Sequence, residues 1–287
     1  MFLLQSIEMK HILIPTDFSE NAQNAIKYAL SFFKDGDVTF YLLHVSLMAE
    51  VDEEECYYKV PEAAQNTNVT IKPFERLTSE LQSIKKRSKN TRHHFFAIHE
   101  YIQFIEAVRK HVVEKEIDFI VMGTKGASRW KRDTIGTNTG NVITKVKCPV
   151  LVIPEHARYS QVKNIVFPTD FNIFYKNRIL NTFTEILQQT KASASILYIS
   201  KKVQDLTPLQ KKNRNYLQEH LEDKPHNSFF ITDENIETAI DTFVSSHEVD
   251  MIAMVAKNLN FFQRILFKPT VEKLSYYTKI PFLVLHE

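Results

Sequence analysis

The sequence predicts an α/β protein of two consecutive doubly wound domains, each a parallel sheet with helices on both faces. Three observations predict it. The chain repeats itself once at long range, each half alternates apolar strand-like runs with helix-like faces, and four of the five glycines fall in one stretch. Lys10-His-Ile-Leu-Ile-Pro-Thr-Asp-Phe18 is matched by Lys163-Asn-Ile-Val-Phe-Pro-Thr-Asp-Phe171. Asp118-Phe-Ile-Val-Met122 is matched by Asp250-Met-Ile-Ala-Met254, and Lys147-Cys-Pro-Val-Leu-Val152 by Lys279-Ile-Pro-Phe-Leu-Val284. The spacing between the two end motifs is kept without a gap, and the period is far too long for a solenoid. Two related domains are therefore expected, residues 1–156 and 157–287, joined by the polar linker 155–161.

In the first half, HILIPT reads as a strand, and Ala22, Ala25, Ile26, Ala29, Leu30 and Phe33 recur at helical spacing. VTFYLLHV is the second strand, and an acidic loop follows through residues 52–55. A charged helix near 74–89, a short strand at 94–98, a helix at 103–114 and the strand IDFIVM come next. After the glycine-bearing stretch, a helical run at 141–147 leads into the strand PVLVI. The second half repeats the order, with strands near 164–168, 194–198, 229–231, 251–255 and 281–285.

Composition removes several classes of function. No apolar run approaches the roughly 20 residues that span a bilayer, so no membrane partner is expected. The apolar N-terminus is broken by Gln5, Ser6 and Glu8 and lacks a basic start, which argues against a secretory leader and for a cytoplasmic protein. Cys56 and Cys148 are too few and too separated for a disulfide scaffold or a zinc site, and Cys148 reads as a small buried thiol. The net charge of +2 points to no nucleic acid, and the local cluster Lys85, Lys86, Arg87, Lys89, Arg92 reads as a solvated helix end.

The glycines Gly123, Gly126, Gly136 and Gly140 mark the candidate site. A glycine is placed where the backbone needs positive φ or something must approach closely. A strand, a glycine-bearing loop and a helix N-terminus together offer N–H groups and a positive dipole to a phosphate. Gly136-Thr137-Asn138-Thr139 reads as the helix start, and Lys125, Arg129, Lys131 and Arg132 decorate the loop. Pro15-Thr16-Asp17 lies at the carboxyl end of the first strand, so it faces the same crevice if the first and fourth strands adjoin. Asp17 is suited either to ribose hydroxyls or to capping the next helix, with Ser19 competing for the cap.

Gly123-x2-Gly126-x9-Gly136-Thr137, with Asp17 after the first strand and Cys-Pro-Val-Leu-Val-Ile after the last helix, resembles the universal stress protein family in a tandem form. The resemblance implies Rossmann-like domains, akin to adenine nucleotide alpha hydrolases, each a five-stranded parallel sheet of order 3-2-1-4-5. It also implies ATP as the ligand, with Mg²⁺ bridging phosphates. Gly123, Gly126, Gly136 and Thr137 would bind phosphates, with Thr139 a further candidate. Asp17 would contact ribose and the Val45 backbone adenine, while Pro15, Thr16, Met122 and Asn138 complete the expected nucleotide-binding set. By the same analogy the last strands pair antiparallel, giving a pseudo-dimer within the chain, with association of two chains left open.

The second half places Val255, Asn258, Lys268 and Pro269 where Gly123, Gly126, Gly136 and Thr137 stand. Valine disfavours positive φ and proline removes an N–H, so this half is not expected to bind ATP. Phe261, Phe262, Ile265, Leu266 and Phe267 read either as filling of the vacated crevice or packing on the other domain, or as a docking surface for a partner. No nucleophile elbow, P-loop lysine or metal-ligand spacing is present, and no catalytic residue is assigned. No His, Asp or Glu stands out as a general base for a water attacking the phosphate, Asp133 in the loop being the least poor candidate and otherwise an exposed side chain, so at most slow ATP hydrolysis is expected. The expected function is nucleotide-dependent sensing or regulation in a stress response, acting on an unidentified protein partner. A nucleotide-independent interaction scaffold of the same fold is the alternative, and an ATP-consuming enzyme the third reading.

Overall fold

The computed structural model describes residues 9–46, 73–124, 137–202, 205–256 and 279–287. The first half runs β1 (Lys10–Pro15), α1 (Glu20–Phe32), β2 (Val38–Val45), α2 (Pro73–Arg87), β3 (His93–Glu100), α3 (Phe104–Glu114), β4 (Phe119–Gly123), α4 (Thr137–Lys145) and β5 (Val150–Ile153). The second runs β6 (Asn164–Thr169), α5 (Asn177–Thr190), β7 (Ser193–Ser200), α6 (Pro208–His220), β8 (His226–Thr232), α7 (Ile236–Ser246), β9 (Met251–Val255) and β10 (Phe282–Leu285). The strands form one ten-stranded sheet in the order β3-β2-β1-β4-β5-β10-β9-β6-β7-β8. Each half thus has the expected 3-2-1-4-5 order with parallel pairing inside it.

The halves meet where β5 and β10 pair antiparallel, with Leu283 opposite Leu151. Both strands are buried along their whole length. Their alternate side chains feed the two layers: Leu151, Ile153, Leu283 and Leu285 join the cluster under α1 and α5, while Val150, Val152, Phe282 and Val284 join the opposite one. Each such side chain contributes roughly 1.5–3 kcal/mol on burial, so two four-residue strands suffice to fuse the sheets. The repeated aspartates have a structural role. Asp118 Oδ2 accepts the His11 N–H at 2.7 Å, and Asp250 Oδ2 accepts those of Lys163 and Asn164 at 2.8 and 3.0 Å. Each ties the start of a half's fourth strand to its first.

The linker is fastened to α1. Asn24 Nδ2 donates to the Pro154 and Ala157 carbonyls at 3.1 and 3.0 Å, and the Arg158 guanidinium donates to Asn24 Oδ1 at 2.9 Å. Tyr159 packs edge-on against Tyr28, which lies one turn further along the helix. Cys148 is fully buried, and burial pushes its thiol up to about 12, in keeping with an unreactive packing role. No helix among the described residues is long and apolar enough to cross a membrane.

Two boundaries differ from expectation. The outer strands β3 and β8 are longer than their apolar runs, because their flanks are polar and half-exposed and the neighbouring strand supplies the ladder. Helix α4 begins at Thr137, inside the expected helix start at 136–139, and ends at Lys145. Threonine, asparagine and glycine are weak helix formers, so the first turn is set by a tertiary contact described below.

His286, just after β10, is buried, and its Nε2 has no hydrogen-bond partner among the described residues. Desolvation, aided by the Arg178 charge, lowers its pKa to about 4. The unfolded chain takes up that proton near 6.5, so stability is present above that value and is lost as the pH falls toward 4. Urea denaturation of the wild type is expected to lose about 2 kcal/mol more than His286→Gln between about pH 6.5 and 4.5. Equal slopes for the two proteins would refute the assignment.

Candidate nucleotide site

The site is built on two strand ends that lie side by side. Strands β1 and β4 pair in parallel, with Ile12 opposite Phe119 and Leu13 opposite Ile120, so their carboxyl ends open on one crevice where the strand order reverses.

At the β1 end, Pro15 closes the strand and buried Thr16 begins the turn. The Thr16 N–H donates to the Leu43 carbonyl at 2.8 Å, and its Oγ1 accepts the Phe18 N–H at 3.1 Å. Asp17 Oδ1 accepts the Ser19 N–H at 3.0 Å, and Ser19 Oγ accepts from Ala22 as the cap of α1. Of the two roles open to Asp17, the cap therefore belongs to Ser19. The Asp17 carboxylate is exposed at the crevice mouth.

Phe18 sits in the left-handed region, φ 63°, which costs a non-glycine residue roughly 1–2 kcal/mol. Its ring is held against His44, centroids 4.5 Å apart, and lies 4.3 Å from the Arg76 guanidinium. The second half reproduces the turn: Phe171 has φ 54°, its N–H reaches Thr169 Oγ1, Asn172 reaches Asp170 Oδ1, and the Phe171 ring stacks on Tyr198 at 5.3 Å. The repeated Pro-Thr-Asp-Phe therefore encodes a turn in its own right.

His44 was not singled out by sequence, where it shows only as a polar break in an apolar strand. Its Nδ1 donates to the Thr16 carbonyl at 2.8 Å, and desolvation lowers its pKa, so the ring is the neutral Nδ1–H tautomer. It also stacks on His99 at 5.5 Å. Val45 follows it. The ladder alternation turns the Val45 N–H and C=O toward the β1 side, and the last paired β1 residue, Pro15, stands opposite Leu43. The Val45 backbone thus lies beyond the ladder, over the crevice.

At the β4 end, Met122 is buried and packs in the layer under α3 and α4. A Cβ added to Gly123 would lie 3.0 Å from the Asn21 carbonyl oxygen in the first turn of α1. No glycine among the described residues has positive φ, so close approach is what Gly123 supplies. Thr139, 3% exposed, donates from Oγ1 to the Gly123 carbonyl at 2.8 Å. That bond pins the first turn of α4 to the end of β4, and it spends the hydroxyl proton expected for a phosphate. Thr137 and Asn138 are exposed beside it, at the helix N-terminus. Gly126 and Gly136 lie outside the described residues, as do Lys125, Arg129, Lys131, Arg132, Asp133 and the second-half Asn258, Lys268, Pro269 and Phe261–Phe267 set. Among the described residues no cluster of His, Cys, Asp and Glu could ligate a metal ion.

The sequence model of the Universal stress protein family matches residues 8–154. The chain belongs to the universal stress protein family. Universal stress protein MJ0577 of Methanocaldococcus jannaschii is 31% identical over 160 residues, covering 52% of this chain and 96% of that protein. Universal stress protein MJ0531 of the same organism is 28% identical over 149 residues, covering 50% and 81%. The solved universal stress protein of Archaeoglobus fulgidus shares the fold across 96% of both chains, with TM-score 0.63 and 16% identity. The family match and both relatives thus account for about half of this universal stress protein, whereas the fold likeness spans nearly all of it.

The halves of this family member part at the helix that follows the turn. Helix α1 starts two residues after Phe18, whereas α5 starts six after Phe171. In place of the missing turn, Tyr175, 1% exposed, drops into the core and its hydroxyl bonds that of Thr169. With the helix starting later, buried Val255 occupies the Gly123 position at the end of β9. Close approach to α1, rather than positive φ, is what Gly123 supplies at this position in the first half.

Proposed function

We propose that the first half, residues 1–156, binds ATP in the β1/β4 crevice and that the second, 157–287, does not. The supporting observation is the exposed N-terminal turn of α4, fixed to Gly123 by Thr139 and placed across the crevice from Asp17. The residues fit the ligand. Thr137 and Asn138 offer amide and side-chain donors at a helix N-terminus, each charge-assisted bond being worth roughly 1.5–3 kcal/mol. Gly126 and Gly136 would extend that donor set, Pro15, Thr16 and Met122 would form the floor, and Asp17 would take the ribose hydroxyls. The Val45 backbone would meet adenine. A Mg²⁺ ion would enter with the phosphates, since their oxygens are its natural ligands.

The chain's role is regulation rather than turnover, in the cytoplasm, with occupancy changing a surface that a protein partner reads. Helix α1 is suited to carry that change: Asn21 abuts Gly123, and Asn24, one turn on, holds the linker to the second half. A ligand acts this way only by binding one arrangement better than the other.

Titration with ATP and Mg²⁺ by calorimetry tests the proposal. One site per chain is expected. Two equivalent sites would overturn the silent second half, and no heat at all would leave an interaction scaffold.

A further inference from the structure

We propose that the outer edge of β3 is a docking strand for an extended, acidic segment of a partner protein. Strand β3 is the first of the ten-stranded order, and among the described residues nothing pairs with its outer side. The Val38 N–H takes the Arg92 carbonyl and the Ser46 N–H that of Glu100, so the even-numbered residues of β3 face β2. Parallel pairing then turns the N–H and C=O groups of Phe95, Ala97 and His99 outward, in the spacing another strand needs.

The chemistry beside that edge selects the partner. A cavity of about 410 Å³ opens at the start of β3, lined by Lys85, Lys89, Asn90, His93, His94 and Phe96 among others. Lys86 and Arg92, next to these residues in the chain, are exposed. Phe96 is 52% exposed, with its ring stacked on Tyr41 at 5.6 Å, which makes it a fixed apolar anchor. The duplication provides an internal comparison. The turn before β8, the opposite outer strand, carries Glu219, Glu222, Asp223 and a single lysine, Lys224. The same architecture thus stands with the opposite charge, and the cations before β3 are no requirement of the fold.

Lysines on an outer strand also discourage sheet-to-sheet aggregation. Here, however, residues 93–100 contain no lysine or arginine, and the cations flank the strand at one end. That leaves the edge unguarded by lysine or arginine among the described residues and places the charge where it would select a sequence. A nucleic acid would use the same charge but none of the outward amides.

The test is fluorescence anisotropy with a labelled peptide of about ten alternating Glu and Val residues. Binding is expected to weaken at least about tenfold in Lys85→Glu/Lys89→Glu and to fall with added salt. The same peptide N-methylated at alternate residues, which cannot donate to an edge, is expected not to bind, and this arm leaves the protein unaltered. Binding that survives N-methylation would mean a bare electrostatic patch and would overturn the proposal. So would absence of binding, indifference to the charge reversal, or preference for a single-stranded RNA of equal length. None of these readouts depends on ATP, so the edge and the nucleotide site stand or fall separately.

Discussion

Gly123→Val is expected to destabilise the chain by about 1–3 kcal/mol, before any ligand is considered. The valine Cβ would come within 3.0 Å of the Asn21 carbonyl oxygen and 3.2 Å of its carbon, and these are helix backbone atoms that cannot swing aside. Relief requires the first turn of α1 to retreat, breaking the Ser19 cap and shifting the helix that holds the linker. The second half shows the relaxed solution, in which Val255 coexists with a helix that starts later and a tyrosine that fills the gap. Urea denaturation without nucleotide is the deciding measurement. A variant as stable as the wild type would show that α1 yields freely and that Gly123 is not a packing glycine. Loss of ATP binding in this variant would therefore say little about phosphate contacts.

The duplication and the alternation of strands and helices were legible in the sequence, because apolar strand cores and the repeated end motifs depend on local pattern alone, whereas the strand order was implied by the family resemblance. What holds the first turn of α4 was not legible. Its threonines, asparagine and glycine are weak helix formers, and the bond from Thr139 to the Gly123 carbonyl that sets them helical is a contact between positions 16 residues apart. Nor was the reason for Gly123 legible, since Asn21, the residue it makes room for, has no signature. The same limit applies to Pro-Thr-Asp-Phe. Its repetition pointed to a duplication, and two side-chain turns with a left-handed phenylalanine account for it in both halves. What sequence could not supply was the distinction between a motif that makes a turn and one that also meets a ligand. In the second half the later helix start and Tyr175 set that turn in different surroundings.

Thr137→Glu is expected to separate binding from folding, which Gly123→Val cannot do. Thr137 is exposed at the first position of α4, so the longer side chain displaces none of the described residues. An acid there is favoured by the helix dipole by about 0.3–1 kcal/mol, so thermal stability should hold or rise slightly. In the proposed complex the same carboxylate stands beside the phosphates. A unit charge about 4 Å from another costs about 4 kcal/mol at the effective dielectric of a protein surface, and salt reduces that figure. A loss of ATP affinity of at least about 100-fold is therefore expected. Thr137→Lys reverses both signs: it opposes the dipole slightly and attracts the phosphates, so it should lower the melting temperature a little and keep or improve affinity. Calorimetry and thermal melts on the pair give four readings, of which stability and affinity should move in opposite directions. Unchanged affinity in Thr137→Glu would place any bound phosphates away from α4. If the two quantities moved together, the substitutions would be acting through the helix rather than through charge at a binding site.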